Sequence, residues 1–160
     1  IVTSPDGITW TERANPKNFA LYGVIYVNDL FVAVGQNDGT DAYLITSPDG
    51  ITWTERANPK NVGLNGIYYA NGLFISVGNF DGVDSYAVYS KDGITWNEIA
   101  TPVTNGLYAI TEHRKLFVSV GNAGATDAEI LTAPFGRNIL IHEKNDAEHD
   151  TRQPGNVVNW

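Results

Sequence analysis

A seven-residue motif that recurs at a constant interval constrains this sequence more than any other feature. Ser-Pro-Asp-Gly-Ile-Thr-Trp occupies Ser4–Trp10 and Ser47–Trp53, and it returns with one substitution at Ser90–Trp96, so each step is 43 residues. Residues Thr3–Asn18 and Thr46–Asn61 are identical at every position. A fixed period without insertions indicates one supersecondary unit copied in series, so the copies decide the architecture.

One repeat predicts four short strands. In the second copy, Tyr22–Val27 and Leu30–Gly35 are apolar, β-rich runs joined by an Asn-Asp pair that is typical of a tight hairpin turn. Ala42–Ser47 predicts a third strand, and a Pro-Asp-Gly turn leads into a fourth at Ile51–Arg56. Helical periodicity is absent from the sequence. We therefore expect an all-β fold made of four-stranded antiparallel meanders.

The repeated motif has the chemistry of a structural fastener. Its Asp carboxylate can accept hydrogen bonds from backbone N–H groups of the turn, and its Ser supplies a second local cap. Its Trp is placed to wedge into the next layer, where burial of the ring stabilises the fold by about 3 kcal/mol. We interpret these residues as structural rather than catalytic: Ser4, Asp6, Trp10, Ser47, Asp49, Trp53, Ser90, Asp92 and Trp96.

The motif resembles the Asp-box, or BNR repeat, of sialidases and related β-propellers, whose pattern is S-x-D-x-G-x-T-W. One residue between Asp and Gly is missing here. The shortened form, preceded by a segment such as Gly23–Gly35, is similar to blades of non-enzymatic BNR-like propellers in bacterial surface proteins and phage tail proteins. The resemblance covers Ile1 to about Pro134 and implies propeller blades in an extracellular or virion-associated protein. It does not fix the activity, because this fold hosts many functions.

The blade count predicts an incomplete ring. Val2–Ala14 supplies two strands of a first blade, two complete blades follow, and the last copy loses its motif across Ala133–Ile139, although Ile139–Ile141 could supply its fourth strand. About 3.5 blades are too few, since closed propellers have about four to eight. Missing upstream blades of a larger chain or a second copy in a homo-oligomer would complete the ring, and an open array of sheets is the third, less favoured alternative. We expect repeats over residues 1–136 and a non-repeat segment over 137–160 that docks on the body or on a neighbouring subunit.

Composition excludes several classes of function. The sequence has no Cys and no Met, so disulfides and thiol metal sites are ruled out. Its net charge of −8 and only ten basic residues argue against a nucleic-acid partner, which needs a clustered basic footprint. No apolar run approaches the roughly 20 residues of a membrane-spanning helix, so membrane insertion is not expected.

One face of the repeats is the expected binding face. The loops between second and third strands and the linkers between blades open on this face, and both are rich in Asn and Asp beside exposed aromatic side chains. Such side chains hydrogen-bond sugar hydroxyls and stack on sugar rings, although Asn and Asp are also ordinary turn residues. The candidate ligand-binding residues are Tyr22, Asn37, Asp38, Asp41, Phe80, Asp81, Asp84, Tyr108 and Asp127.

No metal and no cofactor are predicted. The loop aspartates recur at fixed offsets, but Ca²⁺ needs six to eight oxygen ligands and one such loop supplies too few. His142 and His149, with Glu143 and Asp146 between them, have a spacing that fits no established metal site.

The sequence favours a non-enzymatic function. A sialidase needs converging arginines and other glycosidases need paired carboxylates, whereas the arginines here are dispersed among strands, a turn and the tail. They are Arg13, Arg56, Arg114, Arg137 and Arg152. We expect a binding or assembly module with a surface polysaccharide or a structural neighbour as its ligand. The alternative is a fragment of a BNR-type glycoside hydrolase whose catalytic residues lie outside this chain.

Overall fold

The strands follow the repeat closely in the computed structural model, which describes residues 1–40, 42–123, 128–134 and 141–143. The described residues contain no helix, and each sheet is antiparallel. Sheets 2, 3 and 4 each have four strands in sequential order, which confirms the predicted meander. Sheet 1 comprises β1 (Val2–Thr3) and β2 (Thr11–Glu12); sheet 2 comprises β3 (Leu21–Val27), β4 (Leu30–Asn37), β5 (Ala42–Ser47) and β6 (Thr54–Glu55); sheet 3 comprises β7 (Leu64–Ala70), β8 (Leu73–Phe80), β9 (Ser85–Ser90) and β10 (Asn97–Ile99); sheet 4 comprises β11 (Leu107–His113), β12 (Leu116–Ala123), β13 (Ala128–Pro134) and β14 (Ile141–Glu143).

A two-residue turn joins the first and second strands of each sheet. Asn28 and Asp29 have φ values of 51° and 57°, and Asn71 has a φ of 54°. Positive φ at both central positions matches the right-handed twist of the flanking strands, and Asn and Asp tolerate it better than most residues. The corresponding turn of sheet 4 uses Arg114 and Lys115, also at positive φ.

The first strand of every four-stranded sheet contains a bulge one residue from its start. In the β3–β4 pair, Leu21 is opposite Gly35 and Gly23 is opposite Val34, which leaves Tyr22 without a partner in the ladder. The same shift falls between Leu64 and Gly66 in β7 and between Leu107 and Ala109 in β11. Bulges bend a strand and redirect a side chain, so each first strand presents one residue out of the sheet pattern.

The fourth strand of sheet 2 is shorter than predicted, and that of sheet 4 is shifted. The expected strand at Ile51–Arg56 is reduced to Thr54–Glu55. The physical reason lies in the preceding turn, where the N–H groups of Ile51 and Thr52 each donate to Asp49 Oδ1 at 2.8 Å. Donors that are used by a carboxylate cannot extend the strand ladder. The fourth strand of sheet 4 falls at Ile141–Glu143 rather than 139–141, and residues 139 and 140 lie outside the described residues.

The sheets stack through their first strands, with β3 against β7 and β7 against β11. Glycine allows this approach. A Cβ on Gly66 would lie 2.8 Å from the carbonyl oxygen of Tyr108, and one on Gly23 would lie 3.4 Å from the carbonyl oxygen of Asn65. The third position of this kind is occupied by Ala109, which is exposed. A side chain at Gly66 would push β7 and β11 apart, whereas one at Gly23 would make a close contact only, so Gly66 sets the spacing between sheets 3 and 4.

Apolar side chains from facing sheets form the core. Between sheets 2 and 3, Val32, Val34 and Leu44 pack against Leu64 and Phe74. A smaller cluster between sheets 3 and 4 includes Val77 and Leu107, and a third joins Ile1 to residues of sheet 2. Each interface is therefore a copy of the same layer, as expected for a repeat array.

The described strands do not close into a ring. The four-stranded meander sheets are therefore confirmed, and their assembly into a propeller stays a prediction. The expected docking segment 137–160 lies outside the described residues except for β14, and nothing tests its division from residues 1–136. Within the described part of the chain, no helix is long and apolar enough to cross a membrane.

Candidate functional site

A surface concavity of about 450 Å³ lies where the first strands of sheets 2, 3 and 4 begin. Its lining consists of two aromatic and two amide side chains, from Tyr22, Asn65, Asn79 and Tyr108. Tyr22 and Tyr108 are both exposed, and Asn65 is half-buried between sheets. The concavity is open to solvent, so a ligand bound there would keep part of its surface exposed.

The bulges explain why these residues converge. Tyr22, Asn65 and Tyr108 occupy the same repeat position, 43 residues apart, and each is the residue that the register shift leaves outside the ladder. Because the first strands stack side by side, three equivalent bulges place three side chains around one opening. Asn79 joins them from the end of β8.

Hydrogen bonds fix the two amides of this pocket. The Asn65 Nδ2 donates to Asn79 Oδ1 at 2.9 Å and to the carbonyl oxygen of Leu107 at 2.9 Å. The second of these bonds crosses from sheet 3 to sheet 4. Asn65 is thus held in one orientation by both a side chain and a neighbouring strand.

The predicted acidic residues Asp38 and Asp81 form ion pairs. Lys17 Nζ binds the carboxylates of Asp38 and Glu55, and Lys60 Nζ lies 2.6 Å from Asp81 Oδ2 and also pairs with Glu98. The side chain of Asp81 is only 3% exposed. The hydrogen bonds from Lys60 and from the Asp84 and Val83 N–H groups lower the pKa of Asp81 to about 2. Two carboxylates raise the pKa of Lys60 above its ordinary value.

Among the described residues, the other predicted ligand-binding residues do not line the pocket. Asn37 lies at the end of β4, and Phe80 is exposed at the end of β8. Asp84 Oδ2 accepts a hydrogen bond from the Thr101 N–H at 3.2 Å. Asp41 and Asp127 lie outside the described residues. Of the nine candidates, the structure brings Tyr22 and Tyr108 together, and it places Asp38 and Asp81 in two separate lysine clusters.

The repeated Ser-Asp motifs form identical turns. In the third copy, Ser90 Oγ donates to Asp92 Oδ1 at 2.9 Å, and the Ile94 and Thr95 N–H groups donate to the same carboxylate oxygen at 2.8 Å. The Gly93 N–H donates to Ser90 Oγ at 2.9 Å. The backbone N–H groups of Thr95 and Ile94 lower the pKa of Asp92 to about 2.

The other two copies repeat this arrangement. The backbone N–H groups of Thr9 and Ile8 lower the pKa of Asp6 to about 2, and those of Thr52 and Ile51 lower the pKa of Asp49. Ser4 and Ser47 donate to these carboxylates at 2.8 Å and 2.9 Å. In each of these two copies, Oδ1 of the aspartate thus accepts three hydrogen bonds from its own turn.

The three motif tryptophans differ in burial. Trp96 is 6% exposed and its ring lies 6.2 Å from that of Phe74, while Trp53 is half-buried against Phe31 at the same distance. The indole N–H of Trp96 donates to the Gly93 carbonyl at 3.1 Å. Trp10 differs from the expected wedge, since it is 59% exposed. Its copy of the motif belongs to the two-stranded sheet 1, which lacks the second strand that carries the packing Phe in sheets 2 and 3.

The pocket lining carries no ionisable group except the two tyrosine hydroxyls. Among the described residues, no group of three or more His, Asp or Glu side chains could hold a metal ion. Arg13 and Arg56 lie beside outer strands, where their Nε atoms donate to Thr3 and Thr46 at 2.9 Å. The pocket can therefore offer aromatic faces and amide hydrogen bonds to a ligand.

Comparison with known proteins identifies no family for this chain. No protein-family model matches it. No curated protein matches it either. The site must be interpreted from its own residues.

The sequence prediction did not name Asn65 or Asn79 as ligand-binding residues. Asn79 was expected in the loop between the second and third strands of its repeat, on the binding face, whereas both amides lie within strands. The signal was present in the repeat register, because Asn65 aligns with Tyr22 and Tyr108. A residue that departs from an otherwise aromatic repeat position is worth testing for function.

Proposed function

We propose that this chain is a non-catalytic module of the β-propeller type that binds saccharide and assembles with further blades. The convergence of Tyr22, Asn65 and Tyr108 around one opening supports the binding role most strongly. Aromatic faces stack on the apolar faces of sugar rings, and amides hydrogen-bond their hydroxyls. A surface polysaccharide is the ligand that this chemistry favours, in an extracellular or virion-associated setting such as a phage tail.

No acidic residue of the described part of the chain lines the opening, which supports a non-catalytic role. Glycoside hydrolysis canonically uses two carboxyl groups that flank the scissile bond. The predicted loop acids Asp38 and Asp81 form ion pairs with Lys17 and Lys60. Neither of them lines the pocket.

Exposed flanks support the assembly role. Val24 is 61% exposed in β3, whereas Ile67, at the same repeat position in β7, is 9% exposed because sheet 2 covers it. At the other flank, Val120 is exposed although the equivalent Val77 is buried. We propose that a further blade covers each flank, supplied by a second copy or by a longer polypeptide.

Binding is tested with the purified chain on an array of cell-surface polysaccharides. A Tyr22→Ala/Tyr108→Ala variant should lose binding, because both stacking surfaces are removed. Tyr26→Ala is the matched control, since Tyr26 is equally exposed on β3 but lies at the far end of the strand. Failure of the wild-type chain to bind any polysaccharide, or equal binding by the double variant, would contradict the proposal.

Assembly is tested by sedimentation equilibrium. If a second copy covers the flank, the chain should be oligomeric at micromolar concentration, and Val24→Lys should dissociate it. A folded monomer at all concentrations would remove the second-copy option and leave a longer polypeptide.

A further inference from the structure

The amide pair of the pocket has a defined hydrogen-bonding direction. The carbonyl oxygen of Leu107 can only accept, so the Asn65 atom that contacts it at 2.9 Å must be the nitrogen. The second proton of that nitrogen goes to Asn79, whose contacting atom must then be its oxygen. The contacts themselves thus determine the orientation of both amides, which is otherwise ambiguous for Asn side chains.

This arrangement leaves one acceptor and one donor for a ligand. Both protons of Asn65 Nδ2 are used, so Asn65 offers its Oδ1. Asn79 accepts through its Oδ1 and offers the two protons of its Nδ2. Among the described residues, neither Asn65 Oδ1 nor Asn79 Nδ2 has a hydrogen-bond partner, and both side chains line the pocket.

A hydroxylated ring suits this donor and acceptor. A hydroxyl group both donates and accepts, so two neighbouring hydroxyls can bind the amide pair, one donating to Asn65 Oδ1 and the other accepting from Asn79 Nδ2. A carboxylate ligand can only accept, and it would meet the Asn65 oxygen unfavourably. The chain also has a net charge of −8, and the linker lysines Lys17 and Lys60 are already paired with acids.

We propose that the pocket binds an uncharged pyranose, with Tyr22 or Tyr108 against the ring and the Asn65–Asn79 pair reading two adjacent hydroxyls. This inference rests on the proposed saccharide function and specifies its ligand class. It also assigns Asn79 as a specificity-determining residue, because Asn79 Nδ2 supplies the N–H groups that the pair offers to a ligand. The equivalent repeat positions are Tyr22 and Tyr108, so Asn65 is the copy that can form such an amide pair.

The test is a titration of the full chain with neutral methyl pyranosides, their monodeoxy derivatives and methyl glucuronide, followed by the side-chain amide signals in ¹⁵N-resolved NMR. Asn79→Asp keeps an oxygen that can accept from Asn65 but replaces the donor. Affinity for the neutral glycoside should fall about tenfold, the equivalent of one hydrogen bond. Removal of either adjacent hydroxyl should have a similar effect, and the glucuronide should bind at least as weakly.

Asn122→Asp is the matched control, because Asn122 holds the same repeat position as Asn79 outside the pocket and the charge change is identical. Its affinity should stay within about twofold of the wild type. If the wild-type chain binds neither glycosides nor polysaccharides, the proposed function itself fails. If it binds them and Asn79→Asp binds equally well, or the glucuronide binds as tightly, the saccharide function stands and the inference about the amide pair is overturned.

Discussion

Phe74 and Trp96 lie with ring centroids 6.2 Å apart, and the Trp96 ring belongs to a motif whose turn is closed by an aspartate. The pair joins the second strand of sheet 3 to the end of its Asp-containing turn, at the interface with sheet 2. The turn fixes the position of the indole, and the indole fills the layer between the two sheets. Turn chemistry and core packing are thus coupled in sheets 2 and 3.

This coupling predicts unequal effects of the three tryptophans. Trp96→Ala should lower the free energy of unfolding by about 3–5 kcal/mol, since it removes a buried ring. Trp10→Ala should lower it by less than about 1 kcal/mol, because that ring is exposed. Urea unfolding monitored by circular dichroism measures both variants. Similar losses for the two would show that the burial difference does not govern stability.

The motif aspartates predict loss of stability in acid. The pKa of Asp92 is lowered in the folded protein from 3.8 to about 2, so the unfolded chain binds the proton first as pH falls. The contribution of this group is complete above about pH 5 and is lost as pH falls through 3.8 towards 2. Asp92→Asn should flatten the acid limb of the stability curve relative to wild type.

Chemical denaturation at a series of pH values measures this slope. Asp6→Asn, in sheet 1, provides a second comparison, since Asp6 has a similarly lowered pKa. If sheet 1 unfolds with the other sheets, this variant should flatten the limb as well. An unchanged acid limb in both variants would mean that the turn carboxylates do not contribute to the pH dependence.

The Lys60–Asp81 ion pair predicts a non-additive double variant. Lys60→Val leaves a nearly inaccessible carboxylate without its cation, so the variant should lose stability and the pKa of Asp81 should rise. Adding Asp81→Gly should recover most of the loss. The fourth repeat makes the same exchange naturally, with Val103 and Gly124 at these positions, and Val103 is buried. Urea unfolding of the single and double variants measures the coupling free energy between positions 60 and 81. Additive losses of stability would contradict the prediction.

Gly66 predicts a link between sheet spacing and binding. Gly66→Ala places a methyl group 2.8 Å from the Tyr108 carbonyl oxygen, so β7 and β11 must separate. We expect a loss of roughly 1–3 kcal/mol in stability together with weaker saccharide binding, since Asn65 and Tyr108 flank this contact. Ala109→Gly, at the equivalent exposed position, is the control and should leave binding unchanged. Unchanged saccharide binding by Gly66→Ala would show that the pocket does not depend on the spacing of β7 and β11.

The meander architecture was predictable because it follows from local signals that recur. Alternating apolar runs, Asn-Asp turns and the Asp-Gly motif each specify backbone geometry within a few residues. The short fourth strand of sheet 2 was not predicted, because the competition of Asp49 for the Ile51 and Thr52 N–H groups depends on the folded turn.

The site was only partly predictable. Tyr22 and Tyr108 were expected on the binding face, and the pocket contains them. The roles of Asn65 and Asn79 depend on the carbonyl oxygen of Leu107 from the next sheet, which only the stacking of β7 on β11 brings into contact. The ion pairs of Asp38 and Asp81 depend on linker lysines that are 21 residues away along the chain.

Identical layers could in principle be added without end, because each new one offers the surface that received its predecessor. Ala109 changes that geometry by a single carbon. Its methyl group occupies the position where β3 and β7 have glycine, so a strand placed against β11 would meet a side chain at the point where Gly66 leaves room for the Tyr108 carbonyl. The exposed side of β11 therefore differs from the two earlier contact surfaces by one methyl group.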